Sequence, residues 1–136
     1  MYKSLLLAAD GSENSYRAAE ELLNFAQPGE TIVTILNVVD VNDSKSSVLH
    51  GTSSSVAESK KKLNHITTLF DETGIQYELK VEHGSPKEVV VEAANSGEYE
   101  AVVLGTRGLN GLQEMVLGSV SHKVAKRSSI PVIIVK

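Results

Sequence analysis

The sequence predicts an α/β chain, a single doubly wound domain with a five-stranded parallel sheet of order 3-2-1-4-5 and helices on both faces. Three observations lead there. Short β-branched or apolar runs alternate along the chain with stretches of helical spacing. The runs at 5–9, 101–104 and 132–135 carry no polar face, as strands covered by helices on both sides do not. A glycine-rich segment follows the fourth run directly and leads into a helix, where open α/β sheets place their ligand crevice.

The elements follow in order. Leu5–Ala9 is the first strand, and Asp10-Gly11-Ser12 is a turn in which Ser12 or Asp10 caps the next helix. Residues 13–26 keep helical spacing, with Ala18, Leu22 and Phe25 or Ala26 inward, until Pro28-Gly29. Ile32–Val39 is a β-branched second strand. The serine-rich stretch 40–55 reads as a surface loop, and 56–73 as one helix with Leu63, Ile66 and Phe70 inward and Gly74 as its stop. In 76–83, Tyr77, Leu79 and Val81 alternate with Glu78, Lys80 and Glu82, which predicts a strand near an edge with one wet face. Ser85-Pro86-Lys87-Glu88 has the form of a capping box, opening a helix that runs to about Ser96 before Gly97. Ala101–Leu104 is strand four. Residues 119–128 form the last helix, with Val120, Val124 and Ala125 on one side, and Val132–Val135 after Pro131 is the final strand. Right-handed crossovers leave few topologies for this alternation.

Bulk properties narrow the function. A chain of 136 residues suits one core, so residues 1–136 are expected to be one domain. The net charge of −4 argues against a nucleic-acid partner. The absence of cysteine removes disulfides, thiolate metal sites and cysteine nucleophiles, and fits a cytoplasmic location. The five apolar residues before Asp10 are too few for a signal peptide or a membrane span, so no membrane association is expected.

The chemistry concentrates in Gly105-Thr106-Arg107-Gly108 and onward to Gly118-Ser119-Val120-Ser121, with four glycines in fourteen residues. Glycine lets the backbone approach a ligand closely. The first amides of a helix lack internal partners and carry partial positive charge, which suits phosphate. Ser119 and Ser121 add hydroxyls and Arg107 a full charge. The plainer alternative is that Gly105 and Gly108 only shape a loop and Ser119 only caps a helix. The segment is neither a P-loop nor the dinucleotide G-x-G-x-x-G.

Gly105-x-x-Gly108, nine residues, then Gly118-Ser119 resembles the G-x2-G-x9-G-S/T pattern of ATP-binding universal stress proteins. The resemblance continues through Asp10-Gly11-Ser12, Asn37-Val38-Val39-Asp40, Gly84-Ser85-Pro86 and Ser129-Ile130-Pro131-Val132, in order along the whole chain. It implies a Rossmann-like domain, ATP binding, a nucleotide-responsive regulatory or protective role in stress, and a homodimer. By the same resemblance, Asp10 lies near the sugar and phosphates, on ribose hydroxyls or on a divalent cation, Mg2+ or Mn2+, shared with the phosphates. Its alternative is a turn-and-cap aspartate. Val38 resembles the position whose backbone reads adenine's edge. Gly105, Gly108, Gly118, Ser119, Val120 and Ser121 resemble the phosphate and ribose contacts, and Ala9, Leu104 and Arg107 complete the nucleotide-binding set. Ala9 stands where many relatives have proline or valine, and Asn37, placed at the adenine wall, where many have histidine.

Other residues carry less. His50, His65, His83 and His122 lack metal-ligand spacing, Asp40, Asp43 and His50 form at most a weak metal set in a loop, and Lys60-Lys61-Lys62 is a solvated charge run. A slow ATPase or nucleotidyl-transfer enzyme on the same fold is the alternative function, but no general base stands beside the phosphate segment. A receiver-like phosphorylation module would need an acidic cluster after strand one, where Asp10 stands alone, and an aspartate after strand three, where His83-Gly84 stands. The closing strand, Val132–Val135, is expected to be a bare edge through which two copies pair.

Overall fold

A computed structural model describes residues 1–40, 56–106 and 118–136. The serine-rich stretch at 41–55, and Arg107 and Gly108 with the rest of 107–117, lie outside the described residues. The elements are β1 (Ser4–Ala8), α1 (Glu13–Leu22) with a 3-10 turn at Leu23–Phe25, β2 (Ile32–Asp40), α2 (56–62), α3 (Asn64–Thr73), β3 (Gln76–Gly84), α4 (Pro86–Ala94), β4 (Ala101–Gly105), α5 (Ser119–Arg127) and β5 (Val132–Val135). The five strands form one parallel sheet in the order β3-β2-β1-β4-β5, as the sequence predicts.

Strand alternation divides the interior into two cores. Leu5 and Leu7 of β1 point to one face with Val33, Ile35, Ala101 and Val103, where they meet Ala18, Ala19 and Leu22 of α1 and Leu63, Ile66 and Phe70. Leu6 points to the other face with Leu36, Val102 and Leu104, against Val90 and Ala94 of α4 and Val124 of α5. The period of two in the strands and the single apolar stripe on each helix therefore settle which helix covers which face. At the foot of the sheet, Glu100 accepts hydrogen bonds from the amides of Lys3 and Ser4, which hold its carboxyl below the usual range.

Several local expectations are corrected. The helix expected over 56–73 breaks at Leu63, whose φ of −100° and ψ of 6° lie outside the helical region. Leu63 is fully buried there, so core packing overrides an otherwise unbroken helical pattern. Ser85 precedes α4 but its side chain makes no capping bond, and Glu88 meets Ser85 only through its own amide on the Ser85 carbonyl, so the expected capping box is not formed. Ala125 is exposed, and Ser121 takes the inward position on α5 beside Val124. The edge strands differ as expected: Glu78, Lys80 and Glu82 alternate along β3, while β5 carries four apolar residues, all half-buried.

Candidate functional site

β1 and β4 are neighbours, and the chain leaves them toward opposite faces, α1 packing on the first core and α5 on the second. At their carboxyl ends lies a crevice of about 520 Å³, well within the size of small-molecule sites. Its apolar wall is Ala8, Leu36, Val38, Val90, Leu104 and Val120, all belonging to or packed against the second core. That wall is the open end of the core and suits a flat apolar group. The polar wall comes from Asp10, Ser12, Asn14 and Ser15 at the β1–α1 junction and from Glu58, Ser59 and Lys62 of α2.

β2 runs past the end of β1. Their register ends at Ala8 and Leu36, whereas β2 stays paired with β3 as far as Asp40 and Gly84. The Leu36 carbonyl accepts from the Ala9 amide at 3.0 Å, so Leu36 faces β1. In a strand, amide and carbonyl of alternate residues point the same way. The N–H and C=O of Val38 therefore turn toward the crevice, where β1 has stopped.

The turn after β1 is held by its own side chains. Gly11 adopts φ of +86°, a conformation that favours glycine. Asp10 Oδ1 accepts from the Ser12 amide at 2.9 Å, an Asx-turn, and Ser12 Oγ accepts from the Ser15 amide at 3.2 Å. Asp10 thus fills the turn role that was its alternative reading, while its carboxylate also lines the crevice.

Three helices begin at this rim, and their first turns are not equivalent. α1 is capped by Ser12 and carries Glu13 in its first turn. α4 opens on Pro86, which has no N–H, and carries Glu88. α5 opens at Gly118 with no side-chain cap and no acidic residue in its first turn. Its intrahelical bonding begins with the His122 amide to the Gly118 carbonyl at 2.9 Å, leaving the amides of Ser119, Val120 and Ser121 ahead of it. By charge, and by amides that have no acceptor among the described residues, α5 is where an anion is best received.

The structure thus brings Ala9, Asp10, Val38, Leu104, Gly105, Val120 and Ser121 to one crevice, with Gly118 and Ser119 at the helix start beside Val120. Ser121 is buried, and its hydroxyl donates to the Gly118 carbonyl at 3.1 Å. Asn37 departs from its expected place on the adenine wall. Neighbouring strand residues face opposite ways, so Val38 takes the crevice and Asn37 the other face. There Asn37 Nδ2 donates to the Ala9 carbonyl at 2.8 Å, and its Oδ1 accepts from Ser59 Oγ at 2.7 Å. Lys62, Ser59 and Asn14 are lining residues that sequence reasoning missed. The spacing of 58, 59 and 62 on one helical face was the available signal. His65 stacks on Tyr16 with ring centroids 5.2 Å apart, and His83 and His122 are exposed. His50 lies outside the described residues.

Comparison with known proteins gives concordant results. The model of the universal stress protein family matches residues 1–136. Universal stress protein YxiE of Bacillus subtilis is 30% identical over 148 residues, covering 100% of both chains. Hypothetical protein MJ0577, a solved structure, superposes with a TM-score of 0.84 at 29% identity, covering 100% of this chain and 96% of that one. Two more distant structures share the fold. A universal stress protein in complex with cAMP has a TM-score of 0.73 at 24% identity, over 98% of this chain and 96% of its own. A family protein from Arabidopsis thaliana with AMP bound has a TM-score of 0.69 at 20% identity, over 98% and 91%.

Proposed function

The chain belongs to the universal stress protein family, and we propose that it binds ATP in the crevice and acts as a nucleotide-responsive regulatory or protective protein in stress. The observation that carries this reading is the open start of α5 at the rim of an apolar-walled crevice. Adenine lies on the wall of Leu36, Val38 and Leu104 with its edge on the Val38 backbone. The phosphates lie on the amides that follow Gly118, joined by Ser119, Ser121 and the 105–108 segment with Arg107. Solved structures of this fold hold cAMP and AMP, which share the adenosine unit. Titration calorimetry of the purified chain with ATP and with GTP tests the reading. Binding of ATP with weaker binding of GTP is expected, and absence of ATP binding would overturn it.

Asp10 serves this site by binding rather than by proton transfer. Its carboxylate reaches ribose hydroxyls or a divalent cation, Mg2+ or Mn2+. Among the described residues no group of three or more His, Asp or Glu is placed to hold a metal ion. A cation at Asp10 would therefore complete its oxygen ligands from phosphates and water. Asp10→Ala is expected to weaken ATP binding in the presence of Mg2+ by about tenfold, the scale of one charge-assisted contact. A folded variant that binds Mg-ATP normally but loses a substantial ATPase activity of the parent would assign Asp10 to catalysis instead.

The homodimer belongs to the same proposal. The Val102 and Thr106 amides donate to the carbonyls of Pro131 and Val135, at 3.0 and 2.9 Å. Those residues face β4, so the alternate residues Val132 and Ile134 turn their backbone groups outward from the sheet edge. A second copy meets them antiparallel about a two-fold axis. Light scattering is expected to give a dimer, with Ile134→Pro shifted toward monomer because it removes an outward donor and spares the ladder. A parent chain monomeric at high micromolar concentration would refute the pairing.

A further inference from the structure

Lys62 closes a run of three lysines, yet it alone of the three lines the crevice. Two contacts fix it there. The buried chain from Ser59 through Asn37 to the Ala9 carbonyl ties α2 to the end of β1, one turn before Lys62. The Lys62 stem lies over the Asp10-Gly11-Ser12 turn, so close that a Cβ on Gly11 would collide with Lys62 Cγ and approach its carbonyl oxygen to 3.0 Å. Glu58, four residues earlier, is the usual partner for a lysine at this spacing. Even so, Lys62 forms no ion pair or hydrogen bond among the described residues. An ammonium carries three donors and no acceptor. Held at the rim of the crevice that the start of α5 also borders, it is directed to the oxygens of a ligand.

We infer that Lys62 is a second anion-binding group of the crevice, pairing with nucleotide phosphates from the α2 side and favouring ATP over the uncharged nucleoside. The inference rests on the nucleotide reading above and adds a residue that the glycine-rich pattern does not contain. Lys62→Met keeps the apolar stem over Gly11 and removes only the charge, and Lys62→Arg keeps the charge. Calorimetry of the full chain and both variants with ATP and with adenosine separates the outcomes. Lys62→Met is expected to lose about three- to tenfold in ATP affinity, the range of a partly solvated charge pair. Its adenosine affinity stays unchanged, and Lys62→Arg stays near the parent. Equal losses for ATP and adenosine would make Lys62 a structural wall residue and overturn the inference, as would unchanged affinity for both. A parent chain that binds neither ligand would overturn the nucleotide reading and this inference with it.

Discussion

A Gly118→Val chain is expected to fold and to lose about 100-fold in ATP affinity. Gly118 precedes α5 with φ of −63° and ψ of 160°, ordinary extended backbone that valine also adopts. The substitution therefore brings no backbone strain. It replaces a tolerated cap residue by a poor one, a cost of about 1 kcal/mol at most. Binding is affected differently, because phosphate oxygens must approach the amides of Ser119 and Val120, and a branched side chain at the preceding residue stands in that path. Two hydrogen bonds to a charged group, at about 1.5–3 kcal/mol each, make a 100-fold loss the lower expectation. The checks are calorimetry with ATP beside a thermal melt without it. A melt close to the parent's together with unchanged affinity would move the phosphates away from α5.

The sheet was legible because its strands announce themselves by short apolar or β-branched runs and by what their alternate residues carry. The wet face of Glu78, Lys80 and Glu82 marks one edge, and the apolar run of Val132–Val135 marks a strand covered on both faces. The crevice was legible in its location, since strand order alone puts the ends of β1 and β4 side by side. Its polar wall was not. Lys60, Lys61 and Lys62 are identical in type and all exposed, and only the packing of α2 decides that the third borders the crevice. Asn37 was misplaced for a related reason. Beside Val38 in sequence, it looks like a neighbour in the site, but a strand sends adjacent side chains to opposite faces, and Asn37 ends in a buried polar chain with Ser59. The break at Leu63 has no glycine or proline to announce it. It becomes visible only once Leu63, Ile66 and Phe70 are all required in one core.

Gly105 shows how one residue type answers two demands, and Gly105→Ala separates them. In the sequence it reads as the first glycine of a phosphate cradle, kept small so that a ligand can approach. In the structure, something else already occupies its Cβ direction. An alanine Cβ there would lie 2.6 Å from the Asn14 carbonyl oxygen, 2.9 Å from the carbonyl carbon and 3.1 Å from the Asn14 Cβ. Two of those atoms are backbone in the first turn of α1, which packs on β4 and cannot give way as a flexible side chain would. The helix must shift or the strand end must bend, at about 1–3 kcal/mol, the usual cost of overpacking a core by one methyl group. For a domain of this size the melting temperature is expected to fall by several degrees, roughly 3–5 °C per kcal/mol. The loss should appear in nucleotide-free protein, because the clash is between two parts of the chain. Gly118→Val should show the reverse pattern, a small change in the melt and a large one in binding. A Gly105→Ala chain that melts with the parent yet binds ATP poorly would return Gly105 to the ligand. In that case α1 would have to sit farther from β4 than its contact with Asn14 places it.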